Sequence, residues 1–207
     1  MRLLLATTNQ GKLREIRALL AGLPLDISTL ADYPAVEPPD ETGATFAENA
    51  RLKALYYGSR VGEVTVAEDS GLEIDALGGA PGVHSARFGG EGRSYPEKFR
   101  LIYEALGPMG DRPVTARFVC ALAVAEGDRT LFETIGTVEG QIAREPRGEG
   151  GFGYDPIFFF PPFGCTLAEA GDRKSSASHR GMAFRALAAF LEPDAAERSR
   201  PSGARAG

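Results

Sequence analysis

One stretch, Thr65-Val66-Ala67-Glu68-Asp69-Ser70-Gly71-Leu72-Glu73-Ile74-Asp75-Ala76-Leu77, constrains the fold more than any other. Its β-prone apolar residues read as a buried strand, yet that strand ends in two adjacent carboxylates, a hydroxyl and a glycine. Carboxylates are not left in a core without partners. The stretch therefore reads as a strand that delivers ligands into a cleft at its carboxyl end, as in open α/β sheets. Oxygen ligands at this density suit Mg²⁺, which takes one or two carboxylates together with waters and substrate phosphates. Taken alone, the segment also reads as an ordinary strand followed by a solvated acidic turn, and for an isolated Glu-Asp pair that plainer reading is the commoner one.

The flanking sequence alternates between strand and helix periods. Leu3 to Thr7 is a short buried strand, followed by helical spacing through Leu13, Ile16, Leu19 and Leu20 that Gly22 and Pro24 stop. Leu25 to Ser28 is a candidate second strand, and Pro34, Pro38 and Pro39 force a loop down to Asp40-Glu41-Thr42-Gly43. Thr45 with Glu48 forms a capping box for a helix whose Phe46, Ala50, Ala54 and Tyr57 share one face. Pro96 to Leu106 is a third helix. Thr115 to Val124 and Arg129 to Gly136, joined at Glu126-Gly127-Asp128, read as an antiparallel hairpin that Val138 to Ile142 extends. Ile157 to Phe160 is a further apolar run, and Ser178 caps a last helix with Phe184, Leu187, Ala188 and Leu191 inward. The expected architecture is α/β: an elongated mixed sheet flanked by helices, with two lobes around a central substrate cleft. It forms a single domain over residues 1–192, followed by a disordered tail over 193–207.

Charge narrows the partners. The 207 residues carry a formal net charge of −5, which argues against general nucleic-acid binding. An anion can still be bound through a locally assembled cationic site. Cys120 and Cys165, the only cysteines, form no CxxC pattern, so neither structural zinc nor a disulfide scaffold is expected. The apolar start is too short for a signal peptide and no run reaches the length of a membrane span, so a cytoplasmic protein is expected.

Three further segments carry candidate chemistry. Thr7-Thr8-Asn9-Gln10-Gly11-Lys12 lies between the first strand and first helix, where backbone amides and the helix dipole favour an anion. It is not a Walker A loop, since Leu13 follows the lysine where Ser or Thr should stand; a capped helix with a solvent-facing lysine is the plainer alternative. Lys174 with Ser178-His179-Arg180 is a second cationic cluster at a helix start. Phe152-Gly153-Tyr154-Asp155 offers aromatic faces on which a base can stack, or else an aromatic corner of the core. Together these make an inventory that a nucleoside triphosphate with Mg²⁺ would use in full, with a metal-activated water as the economical nucleophile.

Six segments stand in the order seen in the inosine/xanthosine triphosphate pyrophosphatase family, which the chain resembles from about Leu3 to Leu191. They are Thr7 to Lys12; Glu41-Thr42-Gly43 with Phe46 and Glu48-Asn49-Ala50; Glu68 to Leu72; Gly78 to Gly82 with Ser85-Ala86-Arg87; Gly151 to Pro156; and Ser178-His179-Arg180-Gly181. The resemblance implies a homodimer that cleaves ITP, dITP and XTP between the α and β phosphates with Mg²⁺, giving the monophosphate and pyrophosphate. It implies Asp69 as the metal-linked general base, with Glu41, and Asp40 or Glu68 as further candidates, at the metal. Thr7, Thr8, Asn9, Gln10, Gly11 and Lys12 would hold phosphates, with Lys53 a further phosphate contact, and Ser70 would touch the substrate. Phe152, Gly153, Tyr154 and Asp155 would enclose the base, and Lys174, His179 and Arg180 would read and anchor it. Thr8 stands where the family more often has glycine, His84 where tyrosine is common, and Glu68 where aspartate is common. The competing readings are a pyrophosphatase for other modified nucleotides, including dUTP-like pyrimidines, and a non-catalytic nucleotide sensor.

Overall fold

The fold was obtained as a computed structural model that describes residues 2–110 and 112–192; the tail expected past Pro193 lies outside the described residues. Among the described residues seven strands form: β1 (Arg2–Leu5), β2 (Asp26–Thr29), β3 (Thr65–Ile74), β4 (Thr115–Glu126), β5 (Arg129–Ile142), β6 (Phe158–Phe160) and β7 (Cys165–Thr166). They make one mixed sheet in the order β2-β1-β3-β4-β5-β6-β7. β1 runs parallel to both β2 and β3, and the β3-β4, β4-β5, β5-β6 and β6-β7 pairs are antiparallel. Four helices flank it: α1 (Gln10–Leu19), α2 (Phe46–Val61), α3 (Tyr95–Leu106) and α4 (His179–Leu191).

The helices start where the sequence supplies caps. The Thr45 hydroxyl accepts from the Glu48 amide at 3.2 Å and the Glu48 carboxylate accepts from the Thr45 amide at 3.1 Å, closing the capping box of α2. Ser178 Oγ accepts from the Gly181 amide at 3.0 Å at the start of α4. Each helix then buries one apolar stripe. α2 lays Ala50, Ala54 and Tyr57 on Leu4, Ala67, Ala121 and Ala123, where the small alanines let the helix approach the sheet closely. On the opposite face α1 and α4 pack Ile16, Phe184 and Leu187 against Leu3, Leu5, Val66 and Leu122. α3 closes the far end with Phe99 and Ile102 over Leu72, Ile74, Phe118 and Phe158. Fully burying one such side chain stabilises the fold by roughly 1.5–3 kcal/mol, so these three clusters carry most of the favourable free energy.

The central strand differs from the sequence expectation in where it stops. β3 does not end at the carboxylates but runs on to Ile74, because β4 pairs with it along its whole length. Its opening lies on the other edge. β1 pairs with β3 only at Leu4–Thr65 and Leu5–Val66, and the last bond is Ala6 N–H to Val66 O at 2.8 Å. From Glu68 to Ser70, β3 is bonded to β4 alone, and the chain leaving β1 turns away into the Thr7–Lys12 segment. A cleft therefore opens beside the middle of a strand, at the point where its parallel neighbour ends. No helix among the described residues is long and apolar enough to cross a membrane.

Candidate functional site

A single cavity of about 840 Å³ occupies this opening. Thr7, Thr8, Asn9, Gln10 and Lys12 from the start of α1 line it, with Glu41, Lys53, Glu68, Asp69 and Ser70 beneath them. Phe152, Gly153, Tyr154, Asp155, Lys174, His179 and Arg180 line the same space. Gly11 is set just behind, where a Cβ would lie 3.4 Å from the Phe152 ring. The segments proposed from sequence, from Thr7 to Arg180, thus share one space. Asp40 is exposed and does not line it.

At the acidic end, Lys53 from α2 stands between two carboxylates, with Nζ 2.8 Å from Glu41 Oε1 and 2.9 Å from Asp69 Oδ1. Asn49, wholly buried one turn earlier on α2, donates to Asp69 Oδ2 at 3.3 Å and accepts from the Gly43 amide at 2.8 Å. It ties the acidic loop to the strand. Arg87 reaches Glu41 Oε2 at 3.5 Å. Burial lifts the Asp69 carboxyl above its ordinary pKa, with Lys53 opposing. For Glu41 burial also pushes upward, but Lys53, Arg87 and Lys12 outweigh it and hold that carboxyl below its usual range. Two adjacent acids are thereby set apart: one poised to take a proton, the other to stay charged.

Glu68 belongs to a different network. Neighbouring residues of a strand point to opposite faces, so Glu68 turns away from Glu41 and Asp69. It meets Lys12 Nζ at 3.1 Å and Arg180 Nε at 3.0 Å, and accepts from the Cys120 thiol at 2.9 Å. Burial opposes its charge, yet Lys12, Arg180 and Cys120 together hold its pKa well below the usual value. Arg180 is itself 3% exposed. Its other nitrogens donate to Glu15 at 2.6 Å and Ser70 at 3.1 Å, and Glu15 also accepts from Ser178 at 2.8 Å. This braces the starts of α1 and α4 against β3.

At the start of α1, the Asn9 side chain caps the helix by accepting from the amides of Gly11 and Lys12 at 2.9 and 3.1 Å. Two amides that the sequence reading offers to an anion are thus already engaged. At the aromatic end, Asp155 accepts from Lys174 Nζ at 2.7 Å and from the Phe152 amide. Gly151 has φ +80 and a Cβ there would run into the Asp155 carboxylate, so only glycine fits this corner. Tyr95 packs edge-on against Phe152 and Tyr154 at 6.0 and 5.3 Å, and Phe152 is 41% exposed at the rim. His179 stacks on Phe118 at 4.9 Å. Burial, then the Arg180 charge, push its pKa down to about 3, so the imidazole stays neutral.

The whole of this frame has known counterparts: residues 3–190 match the model of the Ham1 family. The chain belongs to the Ham1 family. A dITP/XTP pyrophosphatase from Gloeobacter violaceus is 52% identical over 186 residues, 89% of this chain and 91% of that protein. One of the same name from an Exiguobacterium species is 46% identical over 194 residues, 93% and 98% of the two chains. Among solved structures, a HAM1 protein from Coxiella burnetii superposes with a TM-score of 0.85 at 39% identity, covering 92% of this chain and 98% of that one.

Several residues of this Ham1 frame escaped the sequence reading. Glu15 lies 165 positions from Arg180, and Cys120 lies 52 from Glu68. No local pattern marks such pairs. Asn49 and Arg87 stood in segments that carry the family resemblance, but their contacts with Asp69 and Glu41 did not show in the sequence.

Proposed function

We propose that this Ham1 family member hydrolyses ITP, dITP and XTP to the nucleoside monophosphate and pyrophosphate, clearing them from the nucleotide pool, with Mg²⁺ as cofactor. The observation that carries the reading is the single cavity joining an aromatic pocket at one end to a buried, lysine-bridged carboxylate pair at the other. The names borne by the relatives from Gloeobacter and Exiguobacterium support the substrate class.

The donor set fits Mg²⁺. Glu41 Oε1 and Asp69 Oδ1 both reach one point, where Lys53 Nζ now sits. No group of three or more His, Cys, Asp or Glu suited to a metal occurs among the described residues, so water and phosphate would complete the coordination, as Mg²⁺ prefers. When bound there, the ion would neutralise phosphate charge and acidify a water. Asp69, its pKa raised by burial, would take the proton of the water that attacks the α phosphorus. Lys12 and the hydroxyls of Thr7 and Thr8 would meet the phosphates, with Lys53 following the leaving pyrophosphate.

At the other end, Phe152 and Tyr154 would flank the base. The neutral His179, beside Arg180 and Lys174, would offer a donor to a 6-keto oxygen. Adenine's amino group would meet donor against donor, a mismatch worth about 10²-fold or more when the groups are buried. The Ham1 resemblance extends the reading to a homodimer, and its nucleotide substrate to work in the cytoplasm. The test is a panel of nucleotides with Mg²⁺, with products resolved as pyrophosphate or orthophosphate. Pyrophosphate and monophosphate from ITP and XTP, with ATP far slower, is the expected result; comparable kcat/KM for ATP and ITP would overturn it.

A further inference from the structure

Among the described residues, Lys98 is the one buried charged group that this chemistry leaves unused. It lies on α3 at 3% exposure, and no carboxylate among the described residues lies within 4.0 Å of its ammonium. Instead Nζ donates to the Ala86 carbonyl at 2.6 Å and sits 4.7 Å from the centre of the Tyr95 ring. Burial, with no acid to offset it, pushes its pKa down. An apolar side chain of the same length would fill this space without the cost of desolvating an ammonium. What the ammonium does there is therefore to be sought in what Ala86 belongs to.

Ala86 is in the turn Gly82–Arg87, and each neighbour in that turn touches the site. The Ser85 carbonyl accepts from the Tyr154 hydroxyl at 2.8 Å, and Ser85 Oγ accepts from the Leu72 amide at 2.9 Å. Arg87 reaches Glu41. Ser85 and Ala86 themselves line the cavity. The turn sits against β3 so closely that a Cβ on Gly71 would lie 2.8 Å from the Gly82 carbonyl. Tyr95, whose ring borders the ammonium, also borders Phe152 and Tyr154. The amino group is thus bonded to a turn that joins the aromatic wall at one end to the acidic pair at the other.

We infer that Lys98 is a positioning residue for nucleotide binding: its bond to the Ala86 carbonyl holds the Gly82–Arg87 turn in register, setting Tyr154 against the base and Arg87 against Glu41. The inference rests on the proposed hydrolysis for its kinetic readout and on the structure alone for its other readout. Three variants of the full chain, Lys98→Met, Lys98→Gln and Lys98→Arg, are compared with the unmodified protein. The first removes the donor, the second keeps a donor without charge, and the third keeps both. Hydrogen exchange is followed in peptides spanning Gly82–Phe88, and KM and kcat are measured with ITP.

Loss of a charge-assisted bond predicts exchange faster by about tenfold and KM higher by about tenfold in Lys98→Met. kcat is expected to stay within about threefold, since Asp69 is untouched and Glu41 keeps its bond to Lys53 when Arg87 shifts. Lys98→Arg restores both quantities, and Lys98→Gln, which also serves should the Met variant fail to fold, falls between. A lower melting temperature with unchanged KM and unchanged exchange in the turn would overturn the inference, leaving Lys98 a packing residue. Should the unmodified protein not turn over ITP, the hydrolysis reading fails by itself, and exchange in the turn still decides what Lys98 holds.

Discussion

Glu68 and Asp69 are neighbours on one strand, both buried, and their surroundings give them opposite work. Glu68 faces α1 and α4, where two cations and a thiol satisfy it and hold its pKa far down. Asp69 faces α2, where Lys53 and Asn49 attend it, and burial still leaves its pKa raised. A fully compensated carboxylate is a poor base and a good strut; an under-compensated one at a cavity is the reverse. The two-residue period of a strand makes the division possible, because one step along the chain changes the face and with it the whole set of partners.

The strongest way to break this contrast is to neutralise Asp69. Asp69→Asn keeps the shape and the Asn49 contact but removes the proton acceptor. Turnover of ITP should fall by about 10²–10⁴-fold. The melting temperature should move by no more than a few degrees, because a carboxylate whose charged form burial disfavours contributes little to stability. Steady-state kinetics beside a thermal melt gives both numbers, and near-normal turnover would remove Asp69 from its role.

The matching change on the other face should show the reverse profile. Glu68→Gln leaves Arg180, with Glu15 as its remaining acid, and Lys12, with none within ion-pair distance, partly uncompensated in the interior. Breaking a buried pair in this way costs about 3 kcal/mol, read as a lower urea midpoint. If Glu68→Gln is as stable as the original chain while Asp69→Asn unfolds, the assignment of strut and base is inverted.

How much of this was legible beforehand follows from the range of the interactions. Strands β1 to β6, the Thr45–Glu48 box and the Ser178 cap are decided within a few residues, so periodicity and capping rules found them, while the two-residue β7 is too short to carry a period. The cavity-lining segments were legible as well, because each carries its chemistry in a short run. The division between Glu68 and Asp69 was not. As a string, Glu-Asp reads as one acidic patch, and the family resemblance left Glu68 a candidate at the metal beside Asp69. Only the pairing of β3 with β4 over its full length, carried past the carboxylates to Ile74, shows that the two point apart. Glu15 and Cys120 lay beyond any local signal because their partners come from other elements.

Within the strut side, two groups separate by pH. His179 shares the strut side, and its folded pKa of about 3 lies below the ordinary 6.5. The unfolded chain therefore binds a proton first as the pH drops, so stability is lost from about pH 6.5 downward. Glu68 has a folded pKa below the ordinary 4.5, so its contribution is intact above 4.5 and lost only below it. Urea midpoints measured from pH 7 to 3.5 should show the windows apart. His179→Gln should flatten the fall between 6.5 and 4.5 by about 2 kcal/mol at a slope of 1.36 kcal/mol per pH unit. Glu68→Gln should flatten only the part below 4.5. A slope between 6.5 and 4.5 that His179→Gln leaves unchanged would mean that the imidazole is not held neutral.

The smallest effect probes the weakest partner on the strut side. Cys120 is fully buried, and its thiol donates to Glu68 Oε2 at 2.9 Å. Burial, then the Glu68 charge, raise its pKa well above the ordinary thiol value, so it is a proton donor and not a nucleophile. Cys120→Ala removes one weak donor and leaves a void smaller than a water, while Lys12 and Arg180 still compensate Glu68. The cost should be about 1 kcal/mol, with ITP turnover unchanged. Cys120→Ser restores a donor of nearly the same size and should recover most of it. If Cys120→Ala instead lowered turnover as Asp69→Asn does, the strand's two faces would be coupled through β4, and strut and base could no longer be treated as separate devices.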